Sequence, residues 1–558
     1  MKKILYLPLV VFALSIQTSC KKSSLDRVPQ DQISSATFWT SQNEARLALN
    51  GCYGYLNGGY SNVYDDGSSD NAYAQYPWES TATSVSAGDI DATLDLGYNS
   101  RYVFIRKYNY FLDNVDKVPM EDVMKRRFIA EARALRAITY FDLARTFGAV
   151  PLLTKSYVDP QETAVAPTAE ADVIAFCLAE LTSAAVDLPA TYVGGTGNET
   201  GRITSGATWA IKSRIQMYYG KWADAVASTK VIMGMGYKLF RVTAVTPDIL
   251  KDDYSSLVTF ADAAEKEKFY KGLASYEQQF WTVNENSKEV ILASQSITNS
   301  SYEYGNGLRT LLPPSDLGGW SSITPTQELV NAYWDKTGHT FAAPTAAQRA
   351  TNYNNGKPTT TYFDEFKNRD TRLYASVLFP SNPWNSFNAG YTFTWGRGGN
   401  NNSKTGYNFK KMVDPAYIEN DWDGAQDFPI IRYAEILLSY AEAQNEVSGP
   451  DASVYDALND VRDRSGMPTV DQTVFNSKET VRELIRNERR IELAGEGQRN
   501  ADIRRWNIGK NVMKSTYDLT NSIVQERNWQ DKFKVMPYPQ SALDHNANLK
   551  AAQSAKGY

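Results

Sequence analysis

The chain has 558 residues, 42% hydrophobic and 22% charged, which is the composition of a globular protein and argues against a disordered or fibrous one. Asp and Glu (63) outnumber Lys and Arg (58) for a net charge of −5, so no basic field exists to hold a phosphate backbone and nucleic acid is not expected as a partner. Only two histidines occur, His339 and His545, which removes metal sites and acid/base chemistry built on His clusters, and no metal or cofactor is expected.

Chain order begins with Lys2-Lys3, then the eleven-residue apolar run Ile4 to Leu14, too short to span a bilayer as a stable helix. Residues 1–19 therefore read as a secretory signal peptide. The segment Ser15-Ile16-Gln17-Thr18-Ser19-Cys20 resembles a bacterial lipoprotein cleavage site, with Gln17 where an aliphatic residue is usual. Lipidation at Cys20 would hold the protein at a membrane through its acyl chains while the body stays aqueous. Residues 20–37 are polar and read as a tether. Of the remaining cysteines, Cys52 and Cys177 sit in apolar surroundings and read as small buried hydrophobes, with a disulfide between them left open.

Residues 38–240 read as an N-terminal helical-repeat scaffold with a loop insertion at 58–110. Met124, Phe128, Ala132, Leu135 and Ile138 form one stripe of an amphipathic helix over Met120 to Phe147, stopped by Gly148 and Pro151. Helices follow at Glu170 to Val186, Ser205 to Tyr219 and Lys221 to Met233. Gly220, Trp222 and Ala225 fall where tetratricopeptide repeats place Gly, an aromatic and Ala at the inter-helix turn. Residues 241–425 form a loop-rich excursion, with a strand at Glu289 to Ser294. Helices return over 426–558 at Ile430 to Val447, Val454 to Arg464 and Ser477 to Ala494, the last with Asn476 as N-cap and Glu479 at the third position. The fold class is mainly α: a tetratricopeptide-like scaffold of about four helix hairpins, carrying long loop-rich insertions with short strands.

Several segments resemble the SusD/RagB family of outer-membrane lipoproteins. They include Phe38-Trp39, Leu49-Asn50-Gly51-Cys52-Tyr53, Phe128 to Arg136, Tyr140 to Arg145, Phe147-Gly148, Val150-Pro151, and Tyr218 to Ala225. Further along come Asn286-Ser287, Glu289-Val290-Ile291, Arg432 to Glu435, Tyr440 to Ala443 and Asn459 to Arg464. Glu488-Arg489-Arg490, Glu492, Gly497, Arg499 and Asp502 to Trp506 follow, with the tail Met536-Pro537-Tyr538-Pro539 to Gly557-Tyr558. The resemblance spans almost the whole mature chain. It implies glycan binding without catalysis, a SusC-like TonB-dependent transporter as partner, and a lipid anchor in the outer membrane with the protein facing outside. Lys21-Lys22 stands where surface-exposed lipoproteins of these bacteria commonly carry acidic residues.

The crowded charges Glu488, Arg489, Arg490, Glu492, Arg499, Asp502, Arg504 and Arg505, like Glu131, Arg133 and Arg136, read as ion-pair ties within the scaffold rather than a catalytic centre. Sugar rings present C–H faces to aromatic rings and hydroxyls to amides and carboxylates. The long loops hold suitable groups: Asn71, Tyr73, Tyr76 and Trp78 beside Pro77; Tyr302, Tyr304 and Trp320 among glycines; Trp384 and Trp395 in the Asn/Gly-rich stretch to Asn402. Asp65, Asp66 and Asp70 lack EF-hand spacing and read as a solvated loop rather than a Ca²⁺ site, and Gly396 to Gly399 lacks the strand-to-helix context of a phosphate loop. Three functions compete. A glycan-binding lipoprotein needs converging loop aromatics, a glycosidase needs two carboxylates flanking the bond, and a peptide- or glycoprotein-binding protein needs a groove of exposed side chains on the hairpins.

Overall fold

The computed structural model describes residues 38–56, 58–192, 199–298, 305–354, 357–416 and 423–558. The N-terminal scaffold runs through α1 (Gln42–Cys52), the one-turn α2 (Val63–Gly67), β1 (Ala72–Ala74), α3 (Tyr98–Asn114), α4 (Asp122–Phe147), α5 (Glu170–Asp187), α6 (Ser205–Tyr218) and α7 (Trp222–Met233). Next come α8 (Ala263–Gln278), β2 (Val290–Ser294), β3 (Ile323–Pro325), α9 (Thr371–Ser376), β4 (Val377–Leu378), β5 (Asn408–Phe409) and β6 (Phe428–Arg432). The chain then returns to long helices: α10 (Tyr433–Ser448), α11 (Ala452–Arg464), α12 (Lys478–Glu492) and α13 (Arg499–Arg505).

Helix packing follows the apolar stripes. In α4 the residues Phe128, Ala132, Leu135 and Ile138 are buried, and Ala130, Ala134, Ala137 and Ala144 make its other faces small enough to pass through the core. The helix stops where Gly148 takes φ +70° and returns its N–H to the Ala144 carbonyl. Thr204 caps α6 by accepting from the Ala207 N–H. Gly220 turns at φ +64° and delivers Ala225 into a contact with Met217 and Ala443. Neighbours pack in sequence, α3 on α4, α4 on α5, α5 on α6 and α6 on α7, and α10 then docks on α7 and carries α11 and α12. The array is thus continuous in space across two hundred residues of intervening chain. It closes where the tail returns: the Met536 N–H donates to the Thr146 carbonyl at 2.7 Å, and Tyr538 stacks on Phe147.

Three local expectations are corrected. The helix expected from Ile430 starts at Tyr433, because Phe428–Arg432 pairs antiparallel with β2 and Arg432 is the extended N-cap. The cap of α12 is Ser477, not Asn476, in a capping box with Thr480 in place of Glu479. Within the expected loop 58–110, Tyr98 onward is helix, since Tyr98, Ile105, Tyr108 and Phe111 share the face turned to the core. Cys52 and Cys177 are both buried and unpaired, and burial pushes the Cys52 thiol up to about 12. No helix among the described residues is long and apolar enough to cross a membrane.

The excursion builds a second hydrophobic core around Tyr254, Tyr276, Tyr333, Phe366, Phe379 and Trp384. A buried ion network joins it to the repeats. Arg432 uses all five N–H donors: two on Glu496 (2.7 and 2.8 Å), one each on the Glu289 (2.9 Å) and Glu492 (2.7 Å) carboxylates, and one on the Glu492 carbonyl (2.7 Å). Arg464 donates to Glu289 (3.1 Å) and to Glu492. From the excursion, Arg372 binds Asp370 (2.8 Å), Glu488 (2.8 Å) and Glu492 (3.2 Å). Lys411 spends its three protons on the Glu492 and Ala494 carbonyls and on Glu496. Arg462 completes the set on Glu488 at 2.6 Å. Seven of the eight C-terminal charges, all but Arg504, are therefore ion-pair ties, and their partners come from the excursion and Asp70 as well as from neighbouring helices. Glu131 is likewise held by Arg127 and Arg202, and Arg136 by Glu180.

A second buried tie fixes residues 65–74. Asp70 accepts from Arg499 (2.7 and 2.9 Å) and is ion-paired with Arg490 (2.9 Å), while Arg527 donates to the Ser69 and Ala72 carbonyls. Burial alone would push the Asp70 carboxyl up, but the Arg490 and Arg499 guanidiniums hold it down at about 2.

Glu492→Ala leaves Arg432, Arg464 and Arg372 without a common counter-charge and should cost about 3–5 kcal/mol in denaturant unfolding. Because Asp70 is depressed in the fold, its contribution is complete above about pH 4 and is lost as pH falls toward 2. Asp70→Asn should therefore flatten the acid limb of stability against pH by about 2 kcal/mol.

Candidate ligand-binding surface

The sequence candidates separate into a buried half and an exposed half. Asn71 is fully buried, its side-chain oxygen accepting from Arg490 Nε at 2.8 Å and its carbonyl from the Thr326 N–H at 2.9 Å. It secures the loop and is not open to a ligand. Trp384 is also fully buried, packed on Phe387 with ring centroids 4.6 Å apart. Trp395 is buried against Tyr353, and its indole N–H donates to the Ser403 carbonyl at 2.7 Å. These two rings were expected on the surface because Asn and Gly dominate their neighbourhood. Apolar neighbours, Phe387 and Phe393 within the same stretch and Tyr353 and Tyr407 from outside it, claim them for the second core instead. Cys20, Tyr302 and Tyr304 lie outside the described residues.

One strand pair carries Tyr73, Tyr76 and Trp78 and brings their segment against the backbone of Trp320. β1 runs antiparallel to β3 with Tyr73 opposite Thr324, and the Gln75 N–H extends the pairing to the Ser322 carbonyl at 2.9 Å. Gln75 also donates its amide N–H to the Trp320 carbonyl at 3.4 Å. Pro77 then breaks the strand, and the chain projects Trp78, 77% exposed, with its ring 4.9 Å from that of half-buried Tyr76. Trp320 is half-buried, as is Tyr73 within the strand. Burial pushes the Tyr73 phenol up.

Polar groups frame these rings. Tyr76 donates its hydroxyl to Asn401 Oδ1 at 2.7 Å, Ser321 donates to the Asn401 carbonyl at 2.8 Å, and Ser315 donates to Asn402 Oδ1 at 2.8 Å. Glu79 accepts from Tyr64 (2.7 Å) and Ser322 (3.2 Å). Ser321 sits at φ +49° and Asn401 at φ +57°, left-handed conformations that cost a non-glycine residue energy and are held here by these bonds. Three loops, 75–80, 313–322 and 398–402, thus converge on one aromatic and amide surface. Asn401, Asn402 and Glu79 were not singled out from sequence. The Asn run 400–402 was the available signal, although nothing local said it would meet Tyr76.

The acidic triplet is not a solvated loop. Asp66 and Asp70 are buried, and Asp66 accepts the Gly495 N–H, with burial pushing its carboxyl up to about 7. Among the described residues no group of three or more His, Cys, Asp or Glu is placed to hold a metal ion.

Comparison with known proteins places this architecture. The sequence model described as the SusD family matches residues 288–558, and one described as starch-binding associating with outer membrane matches residues 29–217. A SusD-like protein of Formosa agariphila is 23% identical over 531 residues, covering 92% of this chain and 93% of its own. A crystal structure of a SusD-like protein from Bacteroides fragilis superposes with TM-score 0.76 at 25% identity, covering 94% of this chain and 99% of that one. A SusD-like carbohydrate binding protein from the same species gives TM-score 0.75 at 26% identity, over 92% of this chain and 100% of that one. With both halves matched by models of one family and the whole fold shared with its solved members, the chain belongs to the SusD/RagB family.

Proposed function

We propose that this protein is a lipid-anchored glycan-binding protein of the outer membrane, facing outside, which captures oligo- or polysaccharide on the Tyr76–Trp78–Trp320 surface without cutting it. It passes the ligand to a SusC-like TonB-dependent transporter. The observation that carries the reading is a tryptophan 77% exposed beside a tyrosine that a hydrogen bond to Asn401 holds in place. The exposed Trp78 ring, resting 4.9 Å from the anchored Tyr76 ring, is open to stack against a sugar face. The amides of Asn401 and Asn402 and the carboxylate of Glu79 lie alongside to meet hydroxyls. Relatives bearing carbohydrate-binding and starch-binding descriptions support the ligand class. Anchoring beside a transporter raises the effective ligand concentration, so modest affinity suffices.

The mature protein should be retarded in native gels cast with one of a panel of plant, fungal and host polysaccharides. Trp78→Ala should weaken binding by about 1–2 kcal/mol, roughly 5–30-fold, and Trp320→Ala should weaken it as well. Trp384→Ala should instead lower stability by about 3–5 kcal/mol. Unchanged retardation in both Trp78→Ala and Trp320→Ala would reject the surface, and release of reducing ends on incubation would reject binding without cleavage.

A further inference from the structure

A polar cavity of about 360 Å³ opens where α3, α4 and α13 meet the loop after Trp78. Its lining includes Asp65, Arg101, Arg145, Tyr218, Asn500 and Arg504, and a neighbouring cavity of about 240 Å³ shares Asp65, Arg101 and Arg145 with it. Most of these charges are already committed. Arg145 is paired with Asp142 at 2.7 Å, and Arg101 donates to Tyr55 Oη (3.2 Å) and to the Leu96 carbonyl (2.6 Å). Asp95, also on the lining, accepts the Gly97 and Tyr98 N–H groups at the start of α3.

Two groups of opposite sign remain. Neither the Asp65 carboxylate nor the Arg504 guanidinium has a hydrogen-bond or ion-pair partner among the described residues, and Arg504 Nε is buried with nothing to accept its proton. Burial pushes the Asp65 carboxyl up and the Arg504 guanidinium down, outweighing the opposing pull of Arg145, Arg101 and Arg504 on Asp65 and of Tyr218 and Asp65 on Arg504. A buried donor such as Arg504 Nε left in this condition is exceptional in a folded protein, and the half-buried Asp65 carboxylate opens onto the same cavity.

We infer that this cavity is a second binding site, for a single neutral sugar residue held between Asp65 and Arg504. An anion would satisfy Arg504 but meet the Asp65 carboxylate, and a cation would meet three guanidiniums. Vicinal hydroxyls satisfy both sides, since each O–H donates to the carboxylate while its lone pairs accept from the guanidinium. Ser68, Ser80, Thr81 and Thr146 add hydroxyls to the wall. The volume falls within the range of small-molecule sites, about 300–1,000 Å³. Ser80 and Thr81 follow Trp78 in the same loop, so the exposed rings and the cavity occupy two ends of one segment. The ligand class rests on the glycan reading, whereas the binding groups are entirely different ones.

The test uses the mature chain with glucose, galactose, mannose and xylose, and with sodium sulfate separately. Arg504 is labelled with phenylglyoxal and quantified by peptide mass, so the first readout needs no variant. At least one sugar should protect Arg504 saturably while sulfate does not. Binding of that sugar by calorimetry should fall roughly tenfold or more in Arg504→Gln and Asp65→Asn, each checked for an unchanged melting curve, and should persist in Trp78→Ala. Protection by sulfate alone, protection by no sugar, or loss of binding only in Trp78→Ala would overturn the inference. If a polysaccharide retards the wild-type protein while no sugar protects Arg504, the cavity proposal falls and the surface reading stands. Protection without retardation by any polysaccharide would sustain the cavity and remove the surface.

Discussion

The structure depends on keeping five carboxylates and five cations buried together without water. Glu289, Asp370, Glu488, Glu492 and Glu496 face Arg372, Arg432, Arg462, Arg464 and Lys411, and each of these side chains is at most 5% exposed. Such a set is tolerable only when charges balance and donors are all spent, because an isolated ion in this environment carries a desolvation penalty of several kcal/mol. Arg432 meets the requirement with all five donors, and Lys411 with all three. Burial still pulls the Lys411 ammonium down to about 8. The geometry is therefore specific: a helix displaced by one turn would leave several charges stranded at once.

That specificity organises the two cores. The repeats bury their own apolar stripe, and the excursion buries its own aromatic cluster, so hydrophobicity alone would leave the orientation of one on the other weakly determined. The network binds them at a seam where β2 and β6 pair and where the Tyr433 N–H donates to the Glu289 carbonyl at 2.8 Å. The Asp70 tie repeats this logic at smaller scale. Arg490 and Arg499, from the end of α12 and the start of α13, pin the segment whose far end carries Tyr76 and Trp78.

The same segment shows how a rigid base supports an exposed tip. Residues 66–72 are all buried, whereas Pro77 and Trp78 are exposed and Tyr76, Glu79 and Ser80 half-buried. Strain at Ser321 and Asn401 lies where the three loops meet and is borne by bonds linking those loops to one another. A segment built this way holds the Tyr76 ring in place through its bond to Asn401, with the Trp78 ring packed against it.

How much was legible in the sequence follows from the range of each interaction. Helix periodicity in α4, the Gly220 turn and the Arg127–Glu131 pair are set by residue spacing and by local rules of charge and shape, and residues 122–147, 205–218 and 452–464 form the helices that their patterns announce. Which aromatics face solvent is decided by how the loops pack, over separations from the three residues between Trp384 and Phe387 to the 325 between Tyr76 and Asn401. Trp384 and Trp78 lie in equally polar, turn-rich stretches, yet one is enclosed by the second core and the other has no apolar neighbour to cover it. Composition fixes how many rings there are and how polar their surroundings are. Only the folded chain, by choosing which loops touch, determines which rings a ligand can reach.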